Sequence, residues 1–265
     1  MKSTLSNFIR NLGLIKFVDK LNFYIVLFKT RKQRNEFKKS HPDVALPPPF
    51  YMYETFGLNY ESFYNKSEST AKWLISYFQK YSDLKNIKIL DWGCGPGRVI
   101  RHLSVIMDPS CEFHGSDYNK KYIDWCSKNI INVTFKTNQL IPPLNYEENT
   151  FDIIYGISIF THLSEEMHHA WFCELMRVLK HGGILILTLH GDAFKEKLTK
   201  SERDDFEKGK LIVKSNTKEG HRTYTAFQPT SFVEKLVANN KILEHVCGST
   251  KNGKIEQDLW VIKKS

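Results

Sequence analysis

The residues with the clearest chemical potential are Ile89-Leu90-Asp91-Trp92-Gly93-Cys94-Gly95-Pro96-Gly97-Arg98. An apolar run ends in an acid, and glycines at every second position follow it. Glycines let backbone approach a ligand closely. A helix opening just beyond the turn would add free N–H groups and positive potential. A dinucleotide site would space the glycines G-x-G-x-x-G to seat a pyrophosphate. Here the spacing is G-x-G-x-G with Asp91 just before it. That carboxylate disfavours a pyrophosphate and favours a ligand with a cationic amino-acid end.

Such a turn works only if strands and helices hold it. The spacing predicts strands over 87–91, 112–116, 133–136, 151–156 and 184–189, and helices over 70–81, 98–106, 120–128 and 164–180. In the helix over 70–81, Trp73, Leu74, Tyr77 and Phe78 share a side. In the helix over 164–180, Ser164 caps the start, Glu165 and Glu166 suit its dipole, and Gly182-Gly183 ends it. Continuously apolar strands alternating with helices mean a parallel sheet covered on both faces. The tail departs from this pattern. A helix over 233–238 precedes strands over 241–246 and 258–262, joined by a turn-rich link at Asn252-Gly253, which suggests a closing antiparallel pair.

At this point the glycine-rich stretch resembles motif I of the class I S-adenosylmethionine-dependent methyltransferases. Residues 66–190, about half of the chain, agree with that family block by block. The resemblance implies a Rossmann-like, seven-stranded, mostly parallel sheet with helices on both faces and an antiparallel last strand. It implies S-adenosylmethionine as cofactor, held by Asp91, Gly93, Cys94, Gly95 and Gly97. Asp117, in His114-Gly115-Ser116-Asp117, stands where the family's acid accepts both ribose hydroxyls; a carboxylate has the two acceptor oxygens this needs. Tyr118 follows it. In Lys136-Thr137-Asn138-Gln139, Asn138 or Gln139 stands where the family often has an Asp facing the adenine amine. Phe151–Gly156 resembles the fourth strand and contributes Tyr155 to the cofactor set. Arg177-Val178-Leu179-Lys180-His181-Gly182-Gly183 resembles the family's R-V-L-K-P-G-G turn, with His181 replacing the usual Pro.

Methyl transfer from a sulfonium asks mainly for alignment and exclusion of water. A hydroxyl acceptor also benefits from a general base. Open α/β sheets bind ligands at the carboxyl ends of their strands. His162, in the stretch after the fourth strand, and His190, after the fifth, are therefore the catalytic candidates. Each competes with a structural reading, for His162 that of a helix-entry histidine bonded to backbone. Asp258 reads as structural, and His168 and His169 as solvated. No metal site is expected. The S-x-F-T-H-L and T-x-H-G forms resemble a bacterial branch associated with small-molecule or glycan modification. No Pro-Cys dipeptide is present, and no Asn-Pro-Pro-Tyr follows the fourth strand, which counts against nucleobase methylation. The aromatic segment 49–64 and the polar segment 199–227 are placed to cover the site, the first by folding over the cofactor or by packing between extension and domain.

The 265 residues are 41% hydrophobic and 25% charged, an ordinary globular composition. Five scattered cysteines without a CxxC pair fit neither a disulfide framework nor structural zinc, and point to a reducing cytoplasm. Net charge is +9, unevenly placed: residues 1–50 hold 10 Lys/Arg against 3 Asp/Glu, and the remainder 28 against 26. A nucleic-acid reader would carry basicity across its folded domain, so nucleic acid is not the expected partner. Residues 1–50 form a basic helical extension before a domain at 51–265, with Pro47-Pro48-Pro49 as a stiff spacer. Leu14, Val18, Leu21, Ile25 and Phe28 share a helical face, and the run Lys29, Arg31, Lys32, Arg34, Lys38, Lys39 follows. Residues 5–39 either pack on protein or make a peripheral contact with the inner membrane face. The expectation is a cytoplasmic methyltransferase acting at oxygen on a small molecule or glycan. The alternatives are an RNA or protein methyltransferase using the basic extension, a non-catalytic cofactor-binding partner protein, and a dehydrogenase, which the glycine spacing disfavours.

Overall fold

The computed structural model describes residues 15–215, 217–251 and 253–265. The described chain divides into two compact units, residues 16–138 and 139–265. Of the extension, residues 1–14, including Leu14, lie outside the described residues.

In the N-terminal unit, α1 (Ile15–Lys29) and α2 (Arg31–Ser40) lead to α3 (Pro49–Thr55) and α4 (Tyr60–Tyr81). Pro49 opens α3 at the first helical position, where its missing N–H costs nothing. Asn59 caps α4 by accepting from the Ser62 N–H at 2.8 Å. That cap starts the helix ten residues before the predicted 70, because Tyr60, Phe63, Ala71, Leu74 and Phe78 form one unbroken buried face. Trp73 and Tyr77 lie off that face, paired with each other at 5.4 Å. Phe37, Met52, Tyr53, Tyr60 and Phe63 form a core against which Phe23, Val26 and Leu27 of α1 pack. The Tyr53 hydroxyl donates to Asp19 Oδ1 at 3.0 Å and accepts from Asn22 Nδ2 at 2.8 Å. Arg101 Nη1 donates to the Ala45 carbonyl at 2.9 Å. The described part of the extension is thus packed on the rest of this unit through Phe23, Val26 and Leu27; Val18, Leu21, Ile25 and Phe28 point to solvent.

The same unit holds β1 (Lys88–Trp92), α5 (Ile100–Ile106), β2 (Glu112–Asp117), α6 (Lys120–Asn129) and β3 (Thr134–Thr137). β1 pairs parallel with β2, and β2 with β3.

The C-terminal unit contains β4 (Phe151–Ile157), α7 (Glu165–Val178), β5 (Leu179–Leu189), α8 (Lys200–Glu207), β6 (Ile212–Lys214), β7 (Thr225–Phe227), α9 (Thr230–Leu236), β8 (Lys241–Val246), β9 (Thr250–Lys251), β10 (Lys254–Ile255) and β11 (Asp258–Lys263). Ser164 caps α7, accepting from the Met167 N–H at 3.3 Å. Gly182-Gly183 does not end that helix. The chain leaves α7 at Val178 and enters β5 directly, with Leu179 opposite Phe151. Lys180 Nζ grips both oxygens of Asp152 at 2.8 Å. The two glycines sit where the β4–β5 register shifts; a Cβ on Gly183 would meet the Asp152 carbonyl at 2.8 Å. They serve a bulge rather than a helix stop. β11 runs antiparallel to both β5 and β8. The link expected between β8 and β11 holds the β9–β10 hairpin, and Asn252 at its turn lies outside the described residues.

Over the whole chain the strand order is β3-β2-β1-β4-β5-β11-β8. This is the expected seven-stranded, mostly parallel sheet with an antiparallel last strand. Among the described residues no helix is long and apolar enough to cross a membrane.

Phe37 joins α2 to this core and is 4% exposed. Phe37→Ala should therefore cost about 3–5 kcal/mol in urea unfolding. A loss below about 1 kcal/mol would show that α2 contributes little to the folded unit.

Candidate functional site

In the N-terminal unit, β1 ends at Asp91-Trp92 and the chain turns through Gly93, Gly95 and Gly97 at φ 75°, 53° and 68°. This left-handed region suits glycine and strains other residues. Gly93 and Cys94 both donate their N–H to the Ser116 carbonyl, at 2.8 and 2.9 Å, fastening the turn to β2. A Cβ on Gly97 would collide with Ile130, and one on Gly95 would press on Thr55 of α3 at 3.3 Å. The aromatic segment beginning at Pro49 has folded as α3 and the start of α4, and α3 borders the turn. Tyr51 and Tyr122 lie 5.0 Å apart, and the Tyr122 hydroxyl donates to Glu54 at 2.6 Å. The following helix starts at Ile100, two residues later than predicted.

Asp117 closes β2. Its Oδ2 accepts from the Gly95 N–H at 2.9 Å and its Oδ1 from the Asn119 N–H at 2.7 Å. Burial raises its carboxyl to about 6, with those two N–H groups pulling the other way. Each oxygen keeps a lone pair beyond the bond it already accepts. Burial also pushes the Cys94 thiol well up, with Asp91 adding to it, and raises that of Cys126, so neither supplies a thiolate. Burial, with Asp117 and Glu54 close by, raises the Tyr118 phenol to about 12. Asp91 is buried, and the Asn138 N–H donates to the Asp117 carbonyl at 3.1 Å. This unit therefore brings together Asp91, the glycine turn, Asp117, Tyr118 and Asn138. Gln139 and Tyr155 fall in the other unit, where Tyr155 has no exposed surface.

The C-terminal unit brings together the two candidate histidines. Beyond β4, Ser158 takes φ 64° and its N–H donates to Thr188 Oγ1 at 2.9 Å. A single 3-10 turn, Phe160–His162, follows. His162 Nδ1 lies 2.8 Å from the Tyr224 carbonyl, and His190 Nδ1 lies 3.0 Å from that of Ala226. A carbonyl only accepts, so in both rings the proton is on Nδ1 and the lone pair is on Nε2. Neither Nε2 has a hydrogen-bond partner among the described residues. Burial lowers the pKa of His162 and brings that of His190 to about 3. Both rings are neutral near pH 7.

The residue that locks this arrangement is Gln228, which the sequence reading missed. Its N–H donates to the His190 carbonyl, and its Oε1 accepts from the His190 N–H, both at 3.0 Å. Its Nε2 donates to the Phe160 carbonyl at 3.1 Å and to His168 Nε2 at 3.0 Å. A lone Gln in a polar stretch carries no local signal of this role. His168, expected to be solvated, is 1% exposed; it donates from Nδ1 to the Ser164 carbonyl at 2.7 Å. It lies on the buried face of α7 with Trp171 and Leu175, and Gln228 satisfies its other nitrogen. His169 is exposed. Asp258 accepts from His245 Nε2 and from the Gly248 N–H, both at 2.9 Å.

Residues 89–183 match the family model described as a methyltransferase domain. Malonyl-[acyl-carrier protein] O-methyltransferases are similar in sequence. That of Bacillus cereus is 28% identical over 64% of this chain, and that of Bacillus anthracis 28% identical over 78%. The chain spans 62% and 75% of the lengths of those two enzymes. Among solved structures, a Pyrococcus horikoshii protein is 22% identical, with TM-score 0.56 over 80% of this chain and 98% of its own. Magnesium protoporphyrin IX methyltransferase from Synechocystis, solved with bound SAH, is 12% identical, with TM-score 0.55 over 88% of this chain and 96% of its own. A SAM-dependent methyltransferase from Methanosarcina mazei is 17% identical, with TM-score 0.55 over 71% and 96%. The match to a methyltransferase domain thus covers residues 89–183, and the fold is that of the class I S-adenosylmethionine-dependent methyltransferases.

Gln228→Leu would leave the His190 N–H and His168 Nε2 without the amide that meets them, while the Phe160 carbonyl keeps the Leu163 N–H. The expected cost is about 2–4 kcal/mol in denaturant unfolding. A change below about 0.5 kcal/mol would show that water replaces the amide freely.

Proposed function

We propose that this chain moves the methyl group of S-adenosylmethionine to an oxygen of a small molecule or sugar. The observation that carries the reading is the Asp117 carboxylate, buried at the end of β2 and tied to the glycine turn. The turn fits the cofactor: three left-handed glycines bare the backbone, and the carboxylate beside them keeps lone pairs for a vicinal diol. Asp91 faces the cationic amino-acid end, Asp117 the ribose hydroxyls, and Tyr118 with Asn138 or Gln139 the adenine. Tyr155 is set aside because it exposes no surface.

When bound, the cofactor supplies a methyl group already activated by its sulfonium. The chain's own work is to orient the acceptor, exclude water and take a proton. His162 Nε2 takes the acceptor's hydroxyl proton while the Tyr224 carbonyl holds Nδ1–H in place. With its pKa near 3, His190 is a weak base, so its Nε2 serves to accept a hydrogen bond from the acceptor and orient it. The similar Bacillus enzymes are named O-methyltransferases, which supports oxygen as the acceptor atom. An RNA acceptor is less favoured, because the excess basicity lies in the first 50 residues rather than across the domain.

Calorimetry with S-adenosylmethionine and S-adenosylhomocysteine should show micromolar binding that Asp117→Ala abolishes. Only the ionised carboxylate accepts both hydroxyls. Affinity should therefore be flat above pH 7 and fall about tenfold per pH unit well below pH 6. Asp117→Asn should bind weakly with no such slope; wild-type affinity in Asp117→Ala would refute the ribose assignment. Once a hydroxyl acceptor is found, His162→Ala should lower kcat about 10²–10⁴-fold with cofactor affinity unchanged. His190→Ala should act mainly on the acceptor KM. An unchanged kcat in His162→Ala would leave His162 a backbone-bonded structural residue.

A further inference from the structure

Helix α1 is apolar on two sides. Phe23, Val26 and Leu27 pack on the core of the N-terminal unit. Phe17, Val18, Leu21, Tyr24, Ile25 and Phe28 face the other way and are exposed, Phe17 at 70% and Phe28 at 77%. At about 100° per residue those six fall in a stripe roughly 120° wide, with Lys20 and Lys29 at its two borders. A helix that packs on a globular protein needs one apolar stripe, and α1 has a second. Phe50, itself 40% exposed, lies next to the helix, its ring meeting that of Phe23 edge-on at 5.1 Å. Large exposed apolar patches on soluble proteins mark interfaces.

The charges at the stripe's borders, and those that follow it directly in the chain, select the partner. Lys29, Arg31, Lys32, Lys38 and Lys39 are exposed, and the one acid in α2, Glu36, pairs with Lys32 at 3.9 Å between two exposed side chains. A second copy of the chain docked on this stripe would oppose like charges. An acidic protein would answer the lysines but not six bulky apolar side chains. An anionic membrane answers both: apolar side chains sink about 5–10 Å to the acyl boundary while lysines meet lipid phosphates. We propose that α1 and α2 dock this protein on an anionic lipid surface, with Phe17, Leu21, Tyr24 and Phe28 inserted and the basic residues from Lys29 to Lys39 on the headgroups. The proposal is independent of the methyl-transfer reading, because it concerns a face of the unit rather than its ligand turn.

The test is co-flotation of the full chain with vesicles of phosphatidylcholine alone or with about one-third phosphatidylserine. Binding should be confined to the anionic vesicles and weaken as salt rises. Leu21→Ser with Phe28→Ser should reduce binding more than ~10-fold, as should Lys29→Glu with Lys32→Glu. All four residues are exposed, so both variants should melt with the parent protein. Three results would overturn the proposal: no flotation, equal flotation with neutral vesicles, or a stable dimer that Phe28→Ser dissociates in a chain that binds no vesicle.

Discussion

One carbonyl oxygen, that of Ser116, receives two N–H groups from consecutive residues, Gly93 and Cys94. To present both donors to one acceptor, the chain leaving β1 must turn back sharply, and it does so with Gly93, Gly95 and Gly97 in left-handed conformation. The rest of the N-terminal unit's glycine turn follows from that clasp. It aligns the end of β1 with the end of β2, and the residue after Ser116 is Asp117, whose carboxylate then meets the Gly95 N–H. Side chains at Gly95 and Gly97 would break the geometry twice over, through backbone strain and through pressure on Thr55 or collision with Ile130.

The C-terminal unit solves a different problem: holding imidazole rings neutral with the proton on Nδ1 and the lone pair on Nε2. Carbonyls at Tyr224 and Ala226, one just before β7 and one within it, each take one Nδ1–H. A third histidine, His168, has the same tautomer, but Gln228 fills its free nitrogen and turns it into structure. The same amide reaches His190 only at its backbone N–H, so among these three rings it meets the second nitrogen of His168 alone.

The sheet was legible because its strands are short apolar runs between turn residues, and the glycine turn because its spacing and flanking acid differ from a pyrophosphate loop. What stayed hidden depended on contacts distant in sequence. Gly182-Gly183 looks like a helix stop until Phe151 and Asp152 are opposite it. His168 looks solvated until Gln228, sixty residues away, arrives. The start of α4 needed the cap at Asn59 to be weighed against an aromatic-rich stretch. On α1, periodicity found the stripe of Val18, Leu21, Ile25 and Phe28 but could not tell that a different set, Phe23, Val26 and Leu27, packs inward.

The strand order also gives β11 a double duty in the C-terminal unit. β11 is last in chain order of these strands, yet it lies between β5 and β8. Until residues 258–263 arrive, β5 and β8 each present a row of unpaired backbone donors and acceptors to whatever is near. Leu185, Ile186 and Leu187 make the β5 row apolar as well. β11 thus covers an apolar sheet edge on one side and carries the short β8 on the other, and a chain cut before residue 258 would offer that edge to pairing with other chains.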